Sequence, residues 1–171
     1  MIGGLRRFSY TGVLVALTIV VLAGCKASGG GYIPTAEEGV EGKATFAFNG
    51  QCTNTTLENG DVAAVTKGQL QYNDPAADVK FHAELEDFFI SGSSTPCEDL
   101  DSFQDENVDE FFGTYRVSGG PKEADGLVFL NVRDNGEPGI NGDQVTIDPF
   151  TGPLAFYGNS GIVQGGNVQV H

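Results

Sequence analysis

Nowhere in this chain does an apolar period of 3.6 residues persist over a useful window, whereas short runs alternating apolar and polar residues recur between turn formers. This pattern constrains the fold most, because a helix needs a sustained stripe to bury and a strand needs only every second residue. Segment 44–48 sets the example, with Phe46 and Phe48 on one face before Asn49-Gly50, which reads as a turn. Further strands are expected at 68–72, 79–85, 88–91, 111–117, 127–132, 144–147, 154–157 and 167–170, each bounded by Gly, Asn, Asp or Pro. The expected fold is all-β, a single antiparallel β-sandwich or barrel-like domain of about 8 to 9 short strands with long turns. Helix is confined to one turn near 100–108, and the absence of an internal repeat excludes a solenoid or propeller.

Charge narrows the partners. With 23 Asp and Glu against 9 Lys and Arg the net charge is −14, which repels nucleic acid and anionic headgroups. It suits divalent cations, a basic or envelope partner, or a salty medium. There is no Trp and only 5 Tyr, so an aromatic platform for stacking sugars is poorly supplied.

The N-terminus reads as an export signal. Arg6 and Arg7 precede the apolar run 13–23, which is too short for the about 20 residues that a spanning helix needs. The run ends in Leu22-Ala23-Gly24-Cys25, which resembles the lipobox of bacterial lipoproteins. The resemblance implies cleavage before Cys25 and acylation of its sulfur, hence membrane attachment through a lipid anchor. It also implies a place in the cell envelope, and Lys26 rather than Asp after the cysteine favours the outer membrane in a cell with two. On this reading residues 1–24 are the signal, 25–42 (with Gly29-Gly30-Gly31 and Pro34) a flexible tether, and 43–171 the β domain.

Cys52 and Cys97 are then the remaining cysteines in an oxidising compartment, and they are expected to pair, since neither a CxxC spacing nor a histidine cluster supports a metal or redox pair. Between the strands 127–132 and 144–147, the stretch 134–143 concentrates oxygen donors and glycines. Asp134, Asn135, Glu137, Asn141 and Asp143 form a donor set that a hard cation such as calcium takes, although the spacing is not that of an EF-hand. The alternative is a long hairpin loop in which Asp134 only accepts backbone hydrogen bonds. The acidic run 98–110 reads as a solvated loop, a cation sponge or a docking strip for a basic partner, with Phe103 able to pin it.

Catalytic constellations are scarce. Alternation turns His82 outward beside Lys80 and Glu84, and His171 ends the chain, where strands fray. No GxSxG or HExxH accompanies either histidine. No catalytic residue is assigned. The leading expectation is a non-enzymatic binding or structural domain held at the envelope, with calcium as its candidate ligand. The alternative is a hydrolase of envelope polysaccharide that uses two of the many carboxylates on a concave face lined by Tyr72, Tyr115 and Tyr157.

Several stretches together resemble a small glycine-rich β module of secreted and surface-anchored bacterial proteins, named for following a choice-of-anchor domain. They are Gly29-Gly30-Gly31 with Ile33-Pro34, Ala44-Thr45-Phe46, 68–72 with Asp74, Phe81-His82, 134–139 with Asp143, and 165–170. The resemblance implies an all-β fold at the cell surface and carries no assigned activity.

Overall fold

The computed structural model describes residues 26–86, 96–99, 107–118, 124–136 and 142–171. Nine strands account for most of them: β1 (Lys26–Pro34), β2 (Lys43–Thr56), β3 (Val62–Asp74), β4 (Val79–Glu86), β5 (Val108–Val117), β6 (Asp125–Arg133), β7 (Gln144–Pro149), β8 (Asn159–Ile162) and β9 (Gly165–Val170). They form one antiparallel sheet in the order β8-β7-β6-β5-β4-β3-β2-β1-β9. Its two edge strands are consecutive in the chain, separated only by Val163 and Gln164, and these two residues bridge the edges. Val163 donates its N–H to Asp143 O at 2.8 Å and Gln164 donates to Tyr32 O at 2.9 Å. The sheet therefore curls until its ends meet, giving the all-β, barrel-like domain that the alternation predicts.

Alternation decides which side chains enter the curl. Along β2 every second residue from Ala44 to Cys52 is buried, and Phe46, Phe48, Leu70, Phe81, Phe111, Tyr115, Leu130 and Ile147 pack inside. The interior is a side-chain core rather than an open channel, as a barrel of about eight strands permits. The strand starts of β1, β3, β5 and β7, with residues 134–136 and 142–143, lie at one end, called lower here. The 35–42, 75–78 and 150–158 connections lie at the upper end.

Five local readings change. Residues 26–34 were expected to be tether but form β1, paired with β2 from Lys26↔Gln51 to Pro34↔Lys43 and with β9 on its other side. The glycines there serve closeness rather than flexibility: a Cβ on Gly29 would come within 2.8 Å of the Phe48 ring, and one on Gly31 would strike the Gly165 carbonyl. Asn49-Gly50 does not turn the chain, because β2 runs through it. Asn49 Oδ1 accepts the Gln69 N–H at 3.0 Å, and a side chain on Gly50 would occupy the space of the Phe111 ring. The expected strand 154–157 is a 3-10 turn at Gly152–Leu154, where Gly152 has φ +77° and Pro153 offers no N–H. β8, with the turn-rich sequence Asn-Ser-Gly-Ile, is a strand that is not among those the alternation predicts. The acidic run is no loop at its C-terminal end, where Val108, Asp109 and Glu110 open β5. The expected strand 88–91 and most of the helical turn near 100–108 lie outside the described residues.

The disulfide is present. Cys52 and Cys97 bond with Cα atoms 5.9 Å apart across 45 residues of chain. With Ala64 they make a small buried cluster separate from the main core, below it on the β2–β3 hairpin. Asn54 Oδ1 accepts the Cys97 N–H at 2.8 Å and adds a polar clamp beside the bond.

Candidate functional site

Of the predicted calcium donors, Asp134, Asn135 and Asp143 are described, while Glu137 and Asn141 lie outside the described residues. The structure brings the three together and gives their oxygens work along the barrel seam. β9 pairs with β1 on one side, and its opposite N–H groups have no strand to bond. Asp143 Oδ2 accepts from Val168 N–H at 2.9 Å and Asp134 Oδ2 from Val170 N–H at 3.3 Å. The other carboxylate oxygens fold the loop itself: Asp143 Oδ1 accepts from Asn135 N–H at 3.0 Å and Asp134 Oδ1 from Gly136 N–H at 2.8 Å. Asn135 Nδ2 donates to Gly142 O at 2.6 Å. Asp143 is fully buried, so these bonds satisfy a carboxylate as well as an edge strand. Among the described residues no group of three His, Cys, Asp or Glu is placed to hold a metal ion.

At the upper end a second polar cluster closes the barrel. Asp74, at the end of β3, has no exposed surface, and its carboxylate accepts from Thr35 Oγ1 (2.7 and 2.8 Å), Ala36 N–H (3.1 Å), Ala76 N–H (3.2 Å) and Tyr157 OH (2.9 Å). Because Tyr157 spends its one proton on Asp74, the 2.5 Å contact between the two tyrosine oxygens has Tyr72 as donor. Tyr72 in turn accepts from Asn159 Nδ2 at 2.7 Å, and Asn159 also donates to Pro34 O. The chain Asn159 to Tyr72 to Tyr157 to Asp74 ties β1, β3 and β8 together.

Its protonation follows from its surroundings. Burial pushes Tyr72 up to about 12 and raises Tyr157 further, aided by Tyr72 and Asp74 beside it. Burial also works against the Asp74 anion, but the donors Thr35, Ala36, Tyr157 and Ala77 outweigh it and lower the carboxyl. Two firmly held phenol protons and a fully engaged carboxylate make a clamp, not an acid–base pair. Tyr72, Tyr115 and Tyr157, considered above for a concave sugar-binding face, all turn inward. Tyr115 bridges Thr151 O and Leu154 N–H, holding the 3-10 turn.

Asp109 escaped notice in the sequence, although its alternation with Phe111 and Tyr115 marks an inward position. It is 2 % exposed, its Oδ2 meets no hydrogen-bond donor among the described residues, and burial raises it to about 7. Its neighbour Glu110 differs: Glu110 Oε1 accepts from Asn131 Nδ2 at 3.0 Å.

The outside of the sheet carries His82, outward as predicted. Cross-strand register aligns Gly30, Ala47, Gln71, His82, Arg116 and Asp125 in one row across β1 to β6. Two adjoining depressions of about 370 and 420 Å³ lie along this row and share His82 and Ser118. Arg116 Nε meets Asp125 Oδ1 at 3.3 Å, an exposed pair, while no ion pair engages Lys80 or His82 among the described residues. His171, expected to fray, exchanges backbone hydrogen bonds with Lys26 at 2.8 and 3.3 Å.

Fold and site define a class: a disulfide-stapled, acidic, all-β domain whose single curled sheet has a side-chain core and polar clamps at its seam and upper end. Comparison of the chain with protein-family models, curated proteins and solved structures finds no match.

Proposed function

We propose that the chain is a cell-envelope lipoprotein, acylated at Cys25, whose β domain has a binding or structural role rather than a catalytic one. The observation that carries the proposal is Leu22-Ala23-Gly24-Cys25 after a short apolar run and two arginines. Support for a non-catalytic role comes from the two best-built polar clusters, which spend their donors and acceptors on backbone and on each other. The choice-of-anchor type resemblance points to the same surface location. On this reading the acylated Cys25 stands directly before β1, which opens at Lys26, and the lower end, with the disulfide, faces the bilayer.

Fractionation tests the anchor. Wild-type chain is expected in the membrane fraction and Cys25→Ala in the soluble fraction, because a stable attachment of this kind rests on its acyl chains. A Cys25→Ala chain that stays with the membrane overturns the proposal. Calcium enters as a ligand of the lower loop. All four carboxylate oxygens of Asp134 and Asp143 already accept hydrogen bonds, so only their second lone pairs and neighbouring donors remain for an ion. The expected affinity is therefore weak, with Tm rising only at roughly millimolar calcium. A Tm that does not move at that concentration removes calcium from the proposal.

A further inference from the structure

We infer that the upper end of the barrel is a docking surface for a basic polypeptide partner, with Phe156 as the apolar anchor that enters the partner's surface. The inference rests on the proposed binding role and gives it a face and a partner chemistry. Phe156 is fully exposed, and Val40 and Phe150 are exposed apolar residues at the same end. The turn that carries Phe156 is held from both sides. Ala155 donates to Gly152 O at 3.2 Å and Tyr157 to Leu154 O at 2.9 Å. Phe150 donates to Leu127 O at 2.9 Å, and Thr151 Oγ1 accepts from Leu127 N–H at 2.7 Å, which ties the turn to β6. Leu154 and Tyr157 pack against the core, and Tyr157 OH bonds Asp74 inside the upper clamp. The clamp therefore fixes the backbone on each side of Phe156 and leaves its ring in water. A ring presented in this way has little backbone freedom left to lose on binding, and aromatic anchors of this kind are what interfaces concentrate.

Charge selects the partner. The connections 35–42, 75–78 and 150–158 carry Glu37, Glu38, Glu41 and Asp78, all exposed, and no Lys, Arg or His. The three connections meet, since Gly42 lies against Ala76 and Tyr157 shares the Asp74 carboxylate with Thr35, Ala36 and Ala76. The strand ends beside them add two lysines, Lys43, which sits over the Tyr32 ring at 4.1 Å, and Lys80. Asp148 is exposed beside Gly158, and Arg116 with Asp125 forms a pair that cancels. Residues 119–123, outside the described residues, contain one Lys and one Glu and leave the sum unchanged. The four loop carboxylates and Asp148 against the two lysines leave this end with three negative charges. A like-charged second copy or an anionic lipid surface is repelled by it, whereas lysine and arginine around an apolar hollow complement it. A sugar finds no stacking platform here, because Tyr157 turns inward and the chain has no Trp. On the proposed anchoring, the upper end points away from the bilayer and is open to a partner.

Photocrosslinking in intact cells that produce the full chain tests the docking surface. With Phe156 replaced by p-benzoylphenylalanine, ultraviolet light should give a discrete polypeptide adduct. Mass spectrometry of the crosslinked peptide should place Lys or Arg around the site of attachment. The same photoreactive residue in place of Ile162, an exposed apolar position at the end of β8 away from this surface, should not give that adduct. Adding Glu38→Lys with Glu41→Lys should lower the yield from position 156 by about tenfold or more, because like charges set across an interface oppose binding. Glu58→Lys with Glu86→Lys, a matched reversal at exposed positions of the lower end, should leave the yield unchanged. Unchanged Tm values show that each variant folds. Adducts only to a second copy or to lipid, a partner segment without basic residues, no adduct at all, or an equal loss with the lower-end reversal overturns the inference. Fractionation of Cys25→Ala reads the anchor separately, so the anchor and the docking surface can fail independently.

Discussion

Asp109 is the residue at which the fold and the charge of the chain meet most awkwardly. A carboxylate held inside the barrel, with one oxygen unpartnered among the described residues, has lost water without gaining a donor there, so the fold favours its neutral form. Its pKa rises from 3.8 to about 7, and the sign of the linkage follows. The folded state holds the proton more tightly than the unfolded state. The contribution to stability is therefore intact below pH 3.8 and is lost progressively as the pH rises toward 7. The full difference is at most about 4 kcal/mol. Asp109→Asn keeps the shape and removes the charge, so its advantage over wild type should be small near pH 4 and reach a few kcal/mol at pH 8. Paired urea melts at the two pH values check this. A constant difference between the two chains would show that Asp109 does not titrate in this window.

Asp74 shows the opposite arrangement at the other end, with a lowered carboxyl whose stabilising contribution is lost as acid protonates it. Both residues were within reach of the sequence, but only as parity. Alternation places Asp109 inward with Phe111 and Tyr115. It does not say whether a donor waits there, since partners such as Thr35 for Asp74 come from a connection 39 residues away.

At the scale of the element, β1 shows where pattern reading succeeds and where it stops. Strands with large alternating side chains, such as β2 and β4, were legible because their buried residues are apolar at every second position. β1 and β8 were not, because their sequences are small and polar, and glycine carries no periodic signal. What makes Gly29-Gly30-Gly31 a strand is the closeness of β9 and the Phe48 ring, contacts fixed only by folding. The same physics explains Asn49-Gly50, a hairpin signal overridden because the missing Cβ receives the Phe111 ring. For the 134–143 loop, the donor set and the turn chemistry were both visible, while the seam that uses Asp134 and Asp143 needed the C-terminal strand in place.

A flexible tether and a strand respond differently to alanine. In a tether, Gly30→Ala and Gly31→Ala are both harmless. In β1, a Cβ on Gly30 meets its nearest atom at an ordinary 3.4 Å, whereas one on Gly31 collides with the Gly165 backbone. Gly30→Ala should thus change stability by less than about 1 kcal/mol, and Gly31→Ala should cost about 1–3 kcal/mol through overpacking between β1 and β9. Thermal melts of the two variants decide it, and equal Tm values would return the segment to a tether.

For the whole molecule, the arrangement of covalent and non-covalent links sets what can be removed without loss of the fold. The barrel closes on itself through β1, β8 and β9, with Lys26 and His171 paired at the lower end, and the main core lies wholly within that closure. The Cys52–Cys97 bond sits beyond it, in a separate cluster with Ala64 on the extended β2–β3 hairpin. Its stabilisation acts mainly on the unfolded chain: closing a loop across 45 residues removes entropy worth about 4 kcal/mol. In a chain of this length such a loss lowers Tm by about 10 °C. The double variant Cys52→Ala with Cys97→Ala should therefore keep its far-ultraviolet circular dichroism and its tyrosine near-ultraviolet signal at 25 °C, because Tyr72 and Tyr115 lie in the untouched core. It should melt early while remaining cooperative. Loss of the near-ultraviolet signal at 25 °C would instead mean that the staple holds the barrel closed, and that the seam built by Asp134, Asp143 and β9 is too weak to do so alone.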